Sequence, residues 1–505
     1  MRRLILLLVC LCTATALAKD PGFKEALDPS YEGFAGQSNP IELRKHAFNR
    51  ALGSGSTAKI KSALKNLKWL DKGMDNLEKQ IERYYAAYLK ELGIYNATIA
   101  AYHRKYPERS GEGVPITAKT GKDLDAAKGY WQKAVSAKRR EPEFEEWVVH
   151  RIRELMIVLP DSHRIQVIAA IATGARNRDR RGRLRTIGML NGLVEKQAKV
   201  ALFRILDQER DPLVLAHVIR LVSSQRPEGL AETLTGYLDN PAWQVRAAAA
   251  HGLASLRTRQ STETLIDRLG YEDGRMVEEL LAALETLTRH KGEPTPESWR
   301  KWLDEKGADW KPSPGNVPAA RHASGEVRYY GVRTRSKAVV FCVDLSARSA
   351  PVAKRVKREL GLAIDKLTDD SLFAVLIYAD KVKAWKKGLT YANGGNKRSA
   401  KSFIEKWKPG GPANVHAALD ACLRLAIPKK GSANDPTADT VYFTACSMPT
   451  AGAVSLVYQI SEEIARRNRL QRLRFHMIDL TGNPQAVFLE EIAHMSRGMY
   501  VGPPR

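Results

Sequence analysis

Apolar positions along this chain change their period twice. Ile60, Leu67, Met74, Ile81 and Tyr88 fall seven residues apart, with Leu70, Leu77 and Tyr84 between them and Lys, Glu and Arg on either side. That heptad seam predicts a long amphipathic coiled-coil helix within 57–110, folding back as a helical hairpin or pairing with another chain. After the break at "PERSGEGVP" the pattern stays helical from 123 to 310, and within it Val214, Val245 and Val277 open similar helices 31 and 32 residues apart. Past Val327 the pattern becomes one of short apolar strands, "KAVVFCVD", "SLFAVLIYAD", "DTVYFTACS" and "LRFHMIDL", separated by helical stretches. Strands alternating with helices predict a mostly parallel sheet covered on both faces, with ligands bound beyond the carboxyl ends of the strands. The fold class expected is therefore multidomain: all-α N-terminal and middle regions, then a doubly wound, Rossmann-like α/β domain over 331–503. Residues 19–56, punctuated by Pro, Gly and Ser, read as an extended leader, and 311–330 as a linker.

The first residues change this picture by adding a compartment. Arg2 and Arg3 precede the apolar run Leu4 to Leu11, and small residues end at Ala18 before Lys19. This is the form of a secretory signal over 1–18, cleaved between Ala18 and Lys19. The apolar run is too short for a permanent span and no later segment reaches about 20 apolar residues, so no transmembrane span is expected. The expected location is outside the cytoplasm, periplasmic or extracellular. The context of Cys10 and Cys12 is not that of a lipid-anchoring signal, and only Cys342, Cys422 and Cys446 remain after cleavage. So few cysteines exclude a disulfide-built scaffold and leave room for one intramolecular bridge at most.

The net charge of +25 becomes +23 once Arg2 and Arg3 leave with the signal. Clusters such as "KRR" at Lys138 to Arg140 and "RNRDRRGRLR" at Arg176 to Arg185 suit an anionic envelope surface, an acidic polysaccharide or an acidic partner protein. The plainer reading is that they are solvated helix faces. Nucleic acid is not expected outside the cell.

The segments "ALFRILDQERDPLVLAHVIRLV", "ETLTGYLDNPAWQVRAAAAHGLASL" and "ETLIDRLGYEDGRMVEELLAALETL" each read as a short helix, a turn carrying Asp with Pro or Gly, and a second helix. They resemble HEAT repeats of the short bacterial type, over roughly 145–292 and most clearly over 201–291, which implies a stacked solenoid offering a long partner-binding surface. Trp299, Trp302 and Trp310 follow, and their spacing predicts a cap on the helical core.

Four further segments, "SKAVVFCVDLSARS", "PGGPANVHAALDACL", "DTVYFTACSMPTAG" and "FLEEIAHMSRGMYV", occur in the order and spacing of a von Willebrand factor type A domain, which the last region resembles over 332–501. Such a domain following HEAT-like repeats looks like a combination common in planctomycete-type bacteria. The resemblance implies an adhesion site for magnesium or a similar cation, built from an Asp-x-Ser-x-Ser loop, a Thr and a second Asp. Asp344 and Ser346 match that pattern, but the remaining positions fall on Arg348, Ala413 and Cys446. A hard divalent cation needs those oxygens, so the site reads as degenerate and no cofactor is expected. Magnesium binding at Asp344 and Ser346 stays open if the match slips by one residue to bring in Ser349 or Ser447. In place of the cation, an internal ion pair between Asp344 and Arg348 is expected.

Three functions remain on this reading. The first is a non-catalytic interaction or adhesion-like scaffold, with a protein partner or an anionic envelope surface and an oligomeric state left open. The second is metal-dependent ligand binding near Asp344. The third, disfavoured, is a hydrolase-like enzyme using Cys446, His416 and Asp344 as a nucleophilic triad.

Overall fold

The computed structural model describes residues 161–172, 180–312, 327–428, 432–452, 457–482 and 487–503, with isolated positions between 83 and 157. The expected signal, leader and most of the heptad seam lie outside the described residues; Arg83, Ala87, Lys90 and Glu91, inside the seam, are helical. Among the described residues, no helix is long and apolar enough to cross a membrane. The chain divides into two units, 1–207 and 208–505.

In the first unit, α1 (Asp161–Ala172) packs on α2 (Arg180–Asn191), burying Ile168 and Ile171 with Ile187 and Leu190. Helix α3 (Lys196–Gln208) ends at the division.

The second unit begins with α4 (Pro212–Gln225), α5 (Leu230–Tyr237), α6 (Trp243–Leu256), α7 (Arg259–Leu269), α8 (Gly274–Thr288) and α9 (Pro296–Glu305). Helices α4, α6 and α8 stack side by side, and Val214, Val245 and Val277 sit buried at their starts. The Asp-Pro turn before α4 acts as a cap: the Asp211 carboxylate accepts the N–H groups of Leu213 and Val214, and Pro212 takes the first helical position, where no N–H is needed. Each stacked helix then ends on an arginine in the left-handed conformation, Arg226, Arg257 and Arg289, at φ 50, 56 and 59. The tryptophans do cap the stack. Trp299 is fully buried, and Trp302 is stacked on His290 at 5.0 Å and edge-on to Trp310 at 5.2 Å.

A small hairpin, β1 (Val327–Tyr329) with β2 (Val332–Thr334), leads into the sheet. Its first strand lies inside the stretch read as linker. The sheet contains β3 (Ala338–Asp344), β4 (Leu372–Tyr378), β5 (Val382–Ala384), β6 (Thr390–Tyr391), β7 (Thr440–Ala445), β8 (Arg474–Asp479) and β9 (Tyr500–Val501). The order is β5-β4-β3-β7-β8-β9, parallel from β4 to β9, with β5 and β6 antiparallel to β4. The four strands read from the sequence are its centre. Helices α10 (Ala353–Asp365), α11 (Gly394–Glu405), α12 (Val415–Leu425), α13 (Val457–Gln471) and α14 (Val487–Met495) complete the domain. Val339, Phe341 and Val343 share a core with Val356 and Leu360 of α10, whereas alternation turns Val340, Cys342 and Asp344 to the other face, where α12 packs. Gly498 lets the chain after α14 cross β8, because a Cβ there would stand 1.8 Å from the Phe475 carbonyl oxygen. All three described cysteines are buried free thiols.

A charged seam joins the last repeats to the amino ends of β3, β7 and β8. Arg275, Glu278 and Glu279 fall three and four residues apart on one face of α8, and all three are buried. Arg275 lies over the Trp243 ring at 4.5 Å, holds Glu279 at 3.0 Å and donates to the Asp439 carbonyl just before β7. Glu278 pairs with Arg474, the first residue of β8, and Gln244 donates to the Thr437 hydroxyl at 3.0 Å. Asp439, ahead of β7, accepts the Ser336 hydroxyl ahead of β3, and its backbone bonds Ala338 and Arg474. Burial alone would raise the Glu279 pKa, but Arg275, His251 and Arg472 outweigh it and hold the carboxylate well below the usual range. At Asp439 burial wins over Arg275 and the pKa rises.

Removing one partner of a buried pair leaves the other charge desolvated and alone, so Arg275→Ala should cost about 3–5 kcal/mol in chemical denaturation; a loss below about 1 kcal/mol would show the seam to be slack. The folded pKa of Glu279 lies below its unfolded value of about 4.3, so its contribution is complete above that pH and is lost as pH falls through the folded value. Stability measured against pH should therefore decline in acid, and less so in Glu279→Gln.

Candidate functional site

At the opposite end of the sheet, β3 delivers Asp344 into a fully buried position. Its carboxylate does not wait for a cation. One oxygen accepts the Ser346 N–H at 2.8 Å and the other the Cys446 N–H at 2.7 Å. Burial pushes the Asp344 carboxyl up, against the Ser346 hydroxyl, these two N–H groups and the Tyr378 hydroxyl, all of which favour the charged form. The Asp344 N–H in turn donates to the Thr444 hydroxyl at 3.0 Å.

The loop after Asp344 turns through a single 3-10 turn, Ala347–Ser349. Arg348 is exposed there and forms no ion pair among the described residues. The expected Asp344–Arg348 pair is thus corrected. The carboxylate obtains its hydrogen bonds from local backbone at no cost in long-side-chain entropy, and the guanidinium keeps its hydration. Ser346 is buried with its hydroxyl 3.3 Å from that of Ser447, whereas the Ser349 hydroxyl donates to the Ser346 carbonyl at 2.8 Å.

Three loops lock together here through their backbones. The Ala347 N–H donates to the Gly411 carbonyl at 2.8 Å and the Gly410 N–H to the Leu345 carbonyl at 3.0 Å. Ala413 is fully buried; its N–H donates to the Thr450 hydroxyl at 2.8 Å and its carbonyl accepts the N–H groups of Thr450 and Ala451. Cys446 is buried, and its carbonyl accepts the Thr481 hydroxyl at 2.7 Å. The elements that would carry a ligand set are present and in place. Their side chains differ from it: Ala413 has no oxygen to offer, Cys446 offers a thiol, and both Asp344 oxygens already accept N–H groups. Among the described residues, no group of three or more His, Cys, Asp or Glu could hold a metal ion.

The triad residues do not come together. His416 lies 3.3 Å from the Glu463 carboxylate on α13, while Cys446 meets Asp344 through its backbone N–H. Burial pushes the Cys446 thiol up, and Asp344 and Asp479 push it further, the reverse of what a nucleophilic thiolate needs.

Asp479 is the residue that the sequence reading missed. It ends β8 as Asp344 ends β3, is fully buried, and accepts the N–H groups of Thr481 and Gly482, each at 3.2 Å. The signal was available: "IDLT" repeats the pattern of "VDLS", an apolar strand closing on Asp, Leu and a hydroxyl residue.

Two measurements follow from this geometry. Arg348→Ala should change stability by less than about 0.5 kcal/mol, with no coupling to Asp344, while Asp344→Asn, which sets an amide N–H2 against an N–H donor, should cost about 1–3 kcal/mol. Cys446 should alkylate slowly in the folded protein at neutral pH; rapid modification would reverse this account of the thiol.

Comparison with known proteins places names on these elements. The HEAT repeat model matches residues 198–285, and the von Willebrand factor type A domain model matches residues 337–501. Similar solved structures include a von Willebrand factor type A protein from Catenulispora acidiphila, at 18% identity over 34% of this chain and 39% of that one, with a TM-score of 0.29. An aerotolerance-related membrane protein from Bacteroides fragilis NCTC 9343 shares 14% identity over 33% of this chain and 91% of that one, with a TM-score of 0.25. The SpRpn10 VWA domain shares 12% over 33% and 86%, with a TM-score of 0.26. This chain covers well under half of the first of these structures. No curated protein matches it. The stacked helices are accordingly a HEAT repeat region, and the sheet with its covering helices is a C-terminal von Willebrand factor type A domain.

Proposed function

We propose that this protein is an exported, non-catalytic scaffold that binds partner proteins through its solenoid and through a type A domain working without metal. The observation that carries the reading is the setting of the Asp344 carboxylate, which is held by the N–H groups of Ser346 and Cys446 at 2.8 and 2.7 Å while buried Ala413 and Cys446 stand where oxygen ligands would be needed. Each carboxylate oxygen keeps a second lone pair, but a magnesium ion bound there would have to find the rest of its octahedron where Ala413 offers no oxygen and Cys446 a thiol. HEAT repeats and type A domains both fit protein interaction, and the seam makes the last repeats and the sheet one support for a bound partner. Export rests on the pattern of residues 1–18, and the positive charge favours an acidic partner or an anionic envelope surface or polysaccharide.

A second reading has one observation of its own. The Ser346 and Ser447 hydroxyls meet 3.3 Å apart beside Asp344, and they are the oxygens a residual divalent site would use.

Millimolar magnesium or calcium should leave the melting temperature of the type A domain unchanged. A ligand at a hundred times its dissociation constant would add about 2.7 kcal/mol to the native state, so an upward shift reversed by chelator would establish the second reading. The mature chain should begin at Lys19 in the exported fraction, and a cytosolic chain retaining Met1 would refute export. Partner capture from envelope extract should survive chelator, and the part lost at raised salt measures the contribution of charge.

A further inference from the structure

The free edge of the sheet carries a surplus of lysine. Between Lys381 and Lys408, the stretch that forms β5, β6 and α11, nine lysines and arginines accompany one acid, Glu405. Lys397 and Lys401 of α11 are answered by Asp369 and Asp365, and Glu405 by Lys357. Lys381, Lys383, Lys386, Lys387, Lys406 and Lys408 are exposed and form no ion pair among the described residues. The neighbouring acid, Asp380, lies beside Gly411 and takes none of them.

Two of these lysines rest on tryptophan. The Lys383 ammonium stands 3.7 Å over the Trp407 ring, which follows α11, and the Lys386 ammonium stands 4.7 Å over the Trp385 ring and donates to the Asn396 side chain at 2.8 Å. The rings are fixed in turn: Trp385 is stacked on buried Phe373 at 5.0 Å and donates its indole N–H to the Ser399 hydroxyl at 3.1 Å, and Trp407 meets Phe403 edge-on at 6.2 Å. These contacts bring β5 and α11 to one surface. The edge itself is open. β5 ends the strand order and pairs only with β4 among the described residues, with Ala384 opposite Leu376 and Val382 opposite Tyr378. The Lys381 carbonyl accepts the Ala379 N–H at 3.1 Å and the Trp385 N–H donates to the Val375 carbonyl at 2.9 Å, so the odd-numbered residues bond β4. By the alternation of an antiparallel pair, Val382 and Ala384 turn their N–H and carbonyl groups outward.

We propose that this edge docks an acidic, extended peptide segment of a partner protein, which adds a strand beside β5 and lays its carboxylates among the lysines. Outward N–H and carbonyl groups are met by a peptide backbone, and not by a lipid or a sugar chain. Lysine ammoniums are point charges, suited to carboxylates spaced along a chain, where a single fixed oxyanion would call for arginine forks. With Phe373 and Lys386 against Trp385 and Lys383 against Trp407, the rings serve as rests for charge rather than as open platforms for a sugar face. An ammonium already held on an indole loses less freedom when its partner arrives. A second copy of this chain would bring lysine to lysine along the edge, so the same charges that admit an acidic strand reject self-pairing. The inference rests on the protein-partner reading above and adds to it one surface and the charge of what binds there.

The test uses the full mature chain and a fluorescently labelled peptide of alternating Glu and Thr, whose anisotropy should rise to saturation. The double variant Lys383→Gln, Lys386→Gln should weaken binding about tenfold, the sum of two exposed charge contacts. Both lysines are exposed, so the variant keeps its core. Arg300→Gln, which removes one charge from α9 in the solenoid, where it pairs with Asp267, should leave binding unchanged. The same peptide methylated on its backbone nitrogens keeps its carboxylates but loses its strand-pairing N–H groups, and should bind about tenfold more weakly or worse. Equal binding of the methylated peptide, or equal loss in Arg300→Gln, would reduce the effect to general charge attraction and overturn the proposal. Tighter, lysine-dependent binding of dextran sulfate or of phosphatidylglycerol vesicles would overturn the choice of a peptide. If the acidic peptide fails to bind while capture from envelope extract persists in the double variant, the edge is refuted and the scaffold reading stands; if capture fails in the unaltered chain as well, both fall.

Discussion

The second unit depends on one constraint: the charges buried between the last repeats and the sheet must all be answered. Arg275, Glu278 and Glu279 leave water when α8 meets the strand ends, and each ion removed from water costs several kcal/mol unless paired. Arg275 therefore reaches a backbone carbonyl, a carboxylate and an aromatic face at once, and Glu278 takes the first side chain of β8. An apolar contact would tolerate sliding by a residue or a few ångströms. This one does not, since any shift leaves a desolvated charge unmatched.

The two ends of the parallel strands have been treated differently. At the amino ends, long charged side chains cross from the solenoid. At the carboxyl ends, about 20 Å away for strands of six or seven residues, the three loops are tied to each other mainly by their own N–H and carbonyl groups. The family's cation would have been the joint between those loops. With Ala413 and Cys446 in place of oxygen ligands, the joint is backbone, and Arg348 is released to solvent.

Both repeated architectures were legible because their signals are local. The 31- and 32-residue spacing of Val214, Val245 and Val277 is a property of neighbouring segments, and four strands showed as apolar runs ending in Asp, Ser or a turn. Short strands such as β5, β6 and β9 carry too few residues to show a period. The seam was hidden for a different reason: nothing local to Arg275, Glu278 and Glu279 marks them as buried, and partners of the first two stand 164 and 196 positions away at Asp439 and Arg474. The Asp344–Arg348 pair was misread because four residues of separation made it look available. That backbone N–H groups would satisfy the carboxylate first is a fact of loop conformation, which residue types do not state.

The seam also orders events in time. Its solenoid half is complete once residue 279 has been made, but its other half waits for Arg474, nearly two hundred residues later. Domains form in the order of their synthesis, and closing so long a loop is slow beside stacking one helix on the next. The growing chain must therefore carry α8 with its charged face wet, and the hydration of Arg275, Glu278 and Glu279 keeps that face from docking on anything apolar in the meantime. A hydrophobic seam of the same area would be adhesive throughout that interval; a charged one stays inert until its own partners emerge.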